Sequence, residues 1–349
     1  MALFHVLIST SLRSGRRERE SGKDDRGEDD RGEEISGSLL LATVDSQKHT
    51  CTVLRQLELP PSPHRLGRNS VRGVAEFAGG YIACNTTQMF ALDQDLRRIE
   101  ASVSDRRFGD IHSVAVRGRV IYVTATASDS VLDFDHNLHK CFEWWAGEEP
   151  ELAREMTEHP RQAMMWDHDF RYKGPYYNRF HINHVCFADN GDLIVNLPNM
   201  PVSAAASKFW NVTARRFHLL PGNGGTLLDG RVHDGHIMNS IHYLNYTATG
   251  EFIKLDCATA RVLQRVDCRV PLPRTTGDAL AIENGWLRGA ALLHDELFLI
   301  GQSKLTLFLV DMARGQRSEP LVLKGFNGDI NCPGLAIYCI AKADHWRRR

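Results

Sequence analysis

Short apolar runs of about five residues recur along the whole chain and are separated by turn-forming residues. Six of these runs open with one phrase: an apolar residue, a variable position, usually a small residue, and then an apolar strand. The variable positions are Arg72, His112, Asn183, Asn239, Arg288 and Pro333, which are 40, 71, 56, 49 and 45 residues apart. Short strands with a repeat of about 40 to 50 residues are typical of the four-stranded blades of a β-propeller. The phrase therefore predicts the innermost strand of each blade, with the variable positions around a central channel.

The pattern of strands and turns inside the repeats supports this prediction. The repeat at His112 predicts strands over 113–116, 120–124, 130–134 and 140–145. In the repeat at Asn183, the turn signal Asn190-Gly191 separates 185–188 from 193–196, because Asn-Gly supplies the positive φ angles of a tight hairpin turn. The repeat at Arg288 predicts strands over 289–293, 296–300, 305–310 and 319–323. The second strand of the Asn239 repeat is not defined by the pattern.

Strands from the two ends of the chain complete the sixth blade. Only 334–341 follow the last phrase, whereas 3–10, 38–44 and 51–59 form three strand-like runs before the first phrase. One C-terminal strand plus three N-terminal strands makes a closing blade, which leaves no free sheet edge in the ring. The sequence thus predicts an all-β fold, a six-bladed β-propeller that forms a single domain over 1–349. Residues 14–36, which are rich in both signs of charge, are predicted to be a disordered loop inside the closing blade.

Composition restricts the partners and the cellular location. Lys and Arg number 42, and Asp and Glu number 43, so the chain lacks the basic excess that nucleic-acid binding requires. The apolar start of the chain is interpreted as a strand and not as a signal peptide, and no apolar run is long enough for a membrane helix. The eight Cys residues form no C-x-x-C motif and are expected to be reduced core residues. We therefore expect a cytoplasmic, monomeric protein with no nucleic-acid or membrane partner.

Candidate chemistry collects where long connections reach the inner strands, because functional loops gather on one face of a rigid scaffold. Six His are predicted near this channel mouth: His112, His168, His181, His184, His233 and His236. Imidazole binds Zn or Fe, and carboxylate or amide oxygen binds Ca or Mn, so a divalent metal is expected without the metal being distinguished. The alternative is that these His are ordinary hydrogen-bonded loop residues.

Arg72 and Arg288 favour an anionic ligand at the same place. A guanidinium stays charged and presents a planar fork that matches carboxylate or phosphate. The alternative is that each Arg pairs with a buried carboxylate, for which Glu76, Asp110 and Glu283 are candidates.

Asn183, the apolar run after it, Asp189-Asn190-Gly191-Asp192 and Leu193 to Val195 resemble the N-G-I-x-F-x-x-D-G-x-L-x-V phrase of gluconolactonase/senescence-marker-type propellers and NHL-like propellers. The first family holds a divalent metal at the channel mouth with a Glu, an Asn and an Asp. The resemblance implies that Asn183 is a metal ligand, whereas Arg72 and His112 have no counterpart in that motif. The phrases at His112 and Asn239 are also similar to those of uncharacterised bacterial propellers, a likeness that implies no reaction.

The sequence therefore predicts an enzyme that acts on a small anionic, possibly sugar-derived, substrate by metal-assisted hydrolase, lyase or isomerase chemistry. His112, His184 and His236 are the candidate catalytic residues, because imidazole transfers protons near neutral pH. Arg72, Arg288 and Asn239 are the candidate substrate-binding residues. Asn183, His112, His184 and His236 are the candidate metal ligands. The alternatives are a non-catalytic propeller that binds a ligand or a protein and, with less support, a four-His oxygenase centre.

Overall fold

The computed structural model describes residues 2–12, 37–64, 70–154, 169–171, 179–203, 206–220, 228, 230–247, 249–270, 287–302, 305–328 and 335–348. The predicted loop 14–36, His168 and Pro333 lie outside these described residues. Within the described residues the chain forms 25 strands and one short α-helix, α1 (Pro150–Arg154). None of the helices in this part of the chain is long and apolar enough to cross a membrane.

The strands form six small sheets, five of them of four consecutive strands. Three strands precede the first blade: β1 (Leu3–Leu12), β2 (Ser38–Asp45) and β3 (Thr50–Glu58). Blade 1 consists of β4 (Val74–Phe77), β5 (Gly80–Cys84), β6 (Met89–Leu92) and β7 (Ile99–Val103). Blade 2 consists of β8 (Ile111–Arg117), β9 (Val120–Ala125), β10 (Ser130–Phe134) and β11 (Lys140–Trp145). Blade 3 consists of β12 (His184–Phe187), β13 (Leu193–Asn196), β14 (Phe209–Asn211) and β15 (Arg216–His218).

The second half of the ring has the same organisation. Blade 4 consists of β16 (His233–Met238), β17 (Ile241–Tyr246), β18 (Glu251–Asp256) and β19 (Val262–Asp267). Blade 5 consists of β20 (Leu287–His294), β21 (Leu297–Gln302), β22 (Thr306–Asp311) and β23 (Gln316–Arg317). Two further strands, β24 (Val322–Lys324) and β25 (Leu335–Lys342), belong to blade 6. The first strands of adjacent blades contact one another, and β25 contacts both β20 and β4, so the ring is closed.

Blade 6 joins the two ends of the chain. Its strands run in the order β25, β1, β2, β3, β24 from the channel outward. The C-terminal strand β25 pairs antiparallel with β1, and Leu7 lies opposite Ala341. The predicted six-bladed β-propeller, closed by one C-terminal and three N-terminal strands, is confirmed.

The outer edge of this blade differs from the prediction. The sequence assigned 319–323 to the fourth strand of blade 5, but that strand is β23, which pairs with β22. The chain follows β22 as far as Leu321 and then crosses to blade 6, where β24 pairs in parallel with β3. Because β24 covers the edge of β3, the closing blade has five strands instead of four.

At Arg72, His112 and Arg288 the repeated phrase forms a β-bulge, in which two residues of the inner strand lie opposite one residue of the second strand. The register shifts between Ile111 and Val114 in blade 2 and between Leu287 and Ala290 in blade 5. In blade 1, Arg72 N donates to Cys84 O while Cys84 N donates to Gly73 O. A bulge changes the direction in which a side chain points, and it places the variable residue away from the regular alternation of the strand.

The core lies between neighbouring blades. Ile8 and Leu40 of blade 6 pack with Leu299 of blade 5 in one buried cluster. Trp210 of β14 packs with Trp144 of β11 in another. Full burial of one such aliphatic side chain contributes about 1.5 to 3 kcal/mol. Because neighbouring blades are packed against each other in this way, their inner strands keep fixed positions. The side chains at the start of the inner strands therefore also keep fixed positions.

Candidate functional site at the channel mouth

Side chains from several blades meet where the inner strands begin, and we name this group the mouth. Its members are Arg72, His112, His181, Asn183, His233, Arg288 and Tyr338. Burial lowers the pKa of His112 well below its usual range, and the charge of Arg288 lowers it further. A series of contacts from His112 through Arg72 and Tyr338 to Arg288 joins blades 2 and 5, which lie on opposite sides of the six-bladed ring.

Arg72 is fixed by partners on three sides. Its Nε donates to Ser70 Oγ at 2.7 Å, and one terminal nitrogen lies 3.3 Å from His112 Nε2. The other terminal nitrogen lies 3.5 Å from a carboxylate oxygen of Asp110. Asp110 is one of the three carboxylates that the sequence offered as a partner. The Arg72–Asp110 pair is part-buried and leaves some N–H groups of the guanidinium unused, since an Arg has five.

Tyr338 on β25 joins Arg72 and Arg288. The Arg72 guanidinium carbon lies 4.2 Å from the centre of the Tyr338 ring, and that of Arg288 lies 4.9 Å from it. Both side chains belong to blades that flank blade 6. Stacking of a guanidinium on an aromatic face is favourable by about 0.5 to 2 kcal/mol, and more when the pair is desolvated. Tyr338 thus holds two cations at one end of the channel.

His112 and His233 occupy the same place in blades 2 and 4, and each contacts a Thr in the same way; His112 Nδ1 also lies 2.8 Å from Asp110 O. His112 Nδ1 lies 2.9 Å from Thr126 Oγ1, which donates to Ile182 O in the next blade. His233 Nδ1 lies 2.9 Å from Thr247 Oγ1, which donates to Leu287 O in the next blade. Since each Thr hydroxyl proton points to a carbonyl, each imidazole donates from Nδ1.

The three imidazoles of the mouth are neutral at pH 7. Burial lowers the pKa of His112 and of His233 well below the usual range. Burial also lowers the pKa of His181 to about 4, although nearby Asp110 acts in the opposite direction. The rings of His112 and His181 have their centres 5.1 Å apart in an edge-to-face arrangement. Neutral imidazoles pack this closely without the repulsion of two charged rings.

Asn183 and His184 connect blade 3 to its two neighbours. Asn183 Nδ2 donates to Val232 O at 2.9 Å, immediately before His233. His184 Nε2 donates to Gly235 O at 3.0 Å, so its Nδ1 accepts from Ser113 Oγ at 3.2 Å. Both side chains therefore contribute to the contacts between blades at the level of the bulges.

His236 lies deeper in the ring than the mouth. It is three residues beyond His233 on β16, which is roughly 10 Å along a strand. Its ring centre lies 6.3 Å from that of Phe298, and burial lowers its pKa. The structure does not bring His236 together with His112.

One variable position of the repeated phrase, Asn239, was assigned wrongly. Asn239 lies in the turn between β16 and β17, at the opposite end of the inner strand from the mouth, with a φ of 53°. Its backbone N–H donates to Asp189 Oδ1 at 3.1 Å. The phrase from Met238 to His242 straddles a turn, and the inner strand starts at His233 instead. Pro333 lies outside the described residues, and the bulge of β25 lies at Tyr338, opposite the register shift between Ser9 and Thr10.

Charged side chains of both signs lie around the neutral imidazoles. Arg72 is paired with Asp110. Burial lowers the pKa of His181, and the positive charges of Arg231 and Arg288 lower it further. The mouth therefore combines arginines from different blades with a carboxylate.

The structure describes no ready metal site. Among the residues it describes, no group of three or more His, Cys, Asp or Glu side chains is placed to hold a metal ion. Asp167 and His168 lie outside that part of the chain. The divalent metal expected from the sequence, with Asn183, His112, His184 and His236 as ligands, stays a prediction.

No protein-family model matches this chain, and no curated protein matches it. Among solved structures, the crystal structure of a protein of unknown function from Bacteroides caccae is similar over 96% of this chain and 98% of its own length. The TM-score is 0.51 and the sequence identity is 11%. At this identity the similarity concerns the fold alone. The resemblance to gluconolactonase-type and NHL-like propellers stays a prediction.

Proposed function

We propose that the protein binds a small organic anion at the mouth and that Arg72 and Arg288 contact its carboxylate or phosphate group. One observation carries this proposal: two guanidiniums from different blades lie over the single ring of Tyr338, at 4.2 and 4.9 Å. Stacking engages the face of a guanidinium, whereas its N–H groups lie in its plane and are the groups that bind a carboxylate or phosphate.

The charge state of the imidazoles supports binding more than proton transfer. Their lowered pKa values leave them uncharged at pH 7, so they supply hydrogen bonds without adding charge. A catalytic base works best with a pKa near the working pH, and the pKa of His181 is about 4. The non-catalytic binding propeller is therefore the first candidate.

Isothermal titration calorimetry with 4-bromobenzoate and with inorganic phosphate, at low ionic strength and pH 7.5, tests the proposal. Arg288→Ala is expected to weaken binding roughly tenfold or more, because a hydrogen bond between charged groups is lost. Arg288→Lys keeps the charge but loses the fork, so an intermediate loss is expected.

The matched control is Arg117→Ala, since Arg117 ends the inner strand β8 at the other end of the channel and lies over Phe187. Unchanged affinity in this control is expected. Equal losses in Arg117→Ala and Arg288→Ala would show that overall charge, and not the mouth, binds the anion. Absence of binding by both probes in the wild type would contradict the proposal.

A second candidate is hydrolysis at His184, because one contact has the arrangement of an activated nucleophile. The Nε2–H of His184 donates to Gly235 O, so the Nδ1 lone pair faces the Ser113 hydroxyl at 3.2 Å. In such a reaction Ser113 Oγ would attack an ester carbonyl, and its proton would pass to His184 Nδ1 and then to the leaving alcohol. Water would then release the acid.

A fluorophosphonate probe distinguishes this candidate from binding alone. Labelling of the wild type that is lost in Ser113→Ala and His184→Gln would support a hydrolase. No labelling at concentrations that label an active serine hydrolase would remove this candidate and leave the anion-binding proposal unaffected.

A further inference from the structure

The segment 179–182 carries His181 and leads to Asn183, yet it belongs to no strand. Its backbone contacts a 3-10 turn of blade 2, Thr126–Ser128, and Asp129 after it, and Phe180 O also accepts from Asn199 N at 3.2 Å. Asp129 Oδ2 accepts from Phe180 N at 3.0 Å, and Asp129 Oδ1 accepts from Ile182 N at 3.3 Å. Thr126 Oγ1 donates to Ile182 O at 2.5 Å. This turn and Asp129 thus bind two backbone N–H groups and one backbone carbonyl of the segment.

The residues that make this connection are themselves held in strained conformations. Asp129 has a φ of 47° and His181 has a φ of 57°. Residues other than glycine adopt such positive φ angles uncommonly. Asp129 N donates to Thr126 O at 3.2 Å, and Ala146 N donates to Asp129 O at 3.0 Å. The Asp129 side chain is fully buried. Strained residues that are fixed from both sides are common at functional sites.

We propose that Asp129 is a positioning residue for the mouth: its buried carboxylate holds segment 179–182 and so sets His181 against His112. This inference rests on the proposed function only in treating the mouth as the binding site. Asp129 itself touches no mouth side chain by its carboxylate, and it acts through the backbone of the segment. Loss of this carboxylate removes the acceptor of two backbone N–H groups, those of Phe180 and Ile182. The His181 ring between them is then no longer held in position.

The ionised form of Asp129 holds the segment more strongly than the neutral form, because a carboxylate is a stronger acceptor of N–H bonds. Burial raises the pKa of Asp129 to about 7, and the N–H groups of the segment oppose that rise. The segment is therefore held less firmly as the pH falls below about 7. The other charged or titratable groups on the elements around this turn are Arg107, Asp110, His112, Glu149, Arg179 and His181. Of these, Glu149 is paired with Arg215 at 3.1 Å, and both His are neutral at pH 7.

NMR of the ligand-free protein tests this inference without any probe molecule. In the wild type we expect the amide resonances of Phe180 and Ile182, and the imidazole resonances of His181, to shift together between pH 6 and 8. In Asp129→Asn we expect this joint step to vanish and the two amides to exchange with solvent roughly tenfold or more faster. The Asn side chain keeps one acceptor oxygen but places an NH2 group where the second was.

Asp133→Asn is the matched control, since Asp133 lies on β10 in the same blade and burial raises its pKa as well. This variant should keep the joint step. If Asp129→Asn folds and its segment resonances and exchange rates equal those of the wild type, the inference is overturned. If Asp129→Asn does not fold, amide exchange in the wild type is the test, and exchange of the Phe180 and Ile182 amides at the rate of unprotected amides overturns the inference.

Binding of 4-bromobenzoate provides the functional readout, because its carboxylate does not titrate near pH 7. The wild-type Kd should rise severalfold as the pH falls from 8 to 6, whereas the Asp129→Asn Kd should be high and flat. If the resonances of segment 179–182 shift with pH but the wild-type Kd does not, the role of Asp129 in binding is overturned. Failure of the wild type to bind the probe at any pH would instead contradict the proposed function, and the ligand-free titration would still test the positioning.

Discussion

The guanidinium carbon of Arg288 lies 4.9 Å from the centre of the Tyr338 ring. Arg288 begins the bulge of β20, and Tyr338 lies at the bulge of β25, so the contact joins two neighbouring blades at the level of the mouth. Both side chains are almost fully buried. A buried cation on an aromatic face has little freedom, which prepares its N–H edge for a ligand.

Replacement of the Tyr338 aromatic ring by an aliphatic side chain should therefore weaken anion binding, although it changes no charged group. Tyr338→Leu is expected to raise the Kd for 4-bromobenzoate roughly fivefold to thirtyfold, since a desolvated cation–π contact contributes about 1 to 2 kcal/mol. Tyr338→Phe keeps the aromatic face and should bind nearly as well as the wild type. Calorimetric titration measures both. Equal binding by the Leu and Phe variants and the wild type would show that the ring does not prepare the site.

The bulge of β20 should require glycine at position 289, the small residue of the repeated phrase. Gly289 has a φ of +75°, and a Cβ there would lie 2.8 Å from Ile340 Cγ1. Gly289→Ala should reduce the free energy of unfolding by about 2 to 4 kcal/mol, because strain of the backbone and crowding add. Gly118→Ala is the control: its φ is +61° but its Cβ would meet nothing within 4 Å, so a loss of about 1 kcal/mol is expected. Equal losses in urea titrations would show that the close packing at Gly289 has no effect.

Closure by the N-terminal strand should contribute strongly to stability. Ile8 lies on β1 between the C-terminal strand and β2, and it is fully buried. Ile8→Ala is expected to lower the free energy of unfolding by about 2 to 5 kcal/mol, as other large-to-small core changes do. Leu3→Ala on the same strand is the control, because Leu3 is 42% exposed. A loss below about 1 kcal/mol in Ile8→Ala would mean that β1 is not part of the folded core in solution.

His242 should make the protein less stable in acid. It is fully buried, and neither ring nitrogen has a hydrogen-bond partner among the described residues. Burial holds its pKa well below 6.5, so below pH 6.5 the unfolded chain binds a proton that the folded chain does not. Stability therefore falls as the pH falls through 6.5 toward 5, by up to about 1.4 kcal/mol per pH unit from this group.

His242→Leu should remove that part of the slope, which urea titrations at pH 5 and pH 7.5 measure. His139→Leu is the control, since the His139 side chain is 78% exposed. An unchanged slope in His242→Leu, or an equal change in His139→Leu, would contradict the assignment of the acid sensitivity to the buried ring.

The sequence was sufficient for the architecture because the blade repeat is a local pattern. Strand periodicity, the turn at Asn190-Gly191 and the shortage of strands at the C-terminus each follow from residues close in the chain. Four variable positions, Arg72, His112, Asn183 and Arg288, also lie at the mouth as predicted.

The errors arose where a pattern of apolar residues continued across a turn. Met238 and Ile241 flank the turn at Asn239, so the two strands imitate one phrase, while the true inner strand begins at the polar residue His233. Tyr338 was missed because a bulge shifts it out of the alternation of β25. Asp129 was missed because its hydrogen bonds join residues about fifty positions apart, and no local pattern shows such contacts.

The most direct measurement is anomalous diffraction at the bromine edge from crystals of the wild type soaked with 4-bromobenzoate near its Kd. The bromine locates the molecule, and its distance from the carboxylate is fixed. We predict one strong peak in the mouth, with the carboxylate on Arg72 and Arg288, and loss of this peak in Arg288→Ala crystals of the same form. A peak only elsewhere on the molecule, or an equal mouth peak in Arg288→Ala, would contradict the anion site.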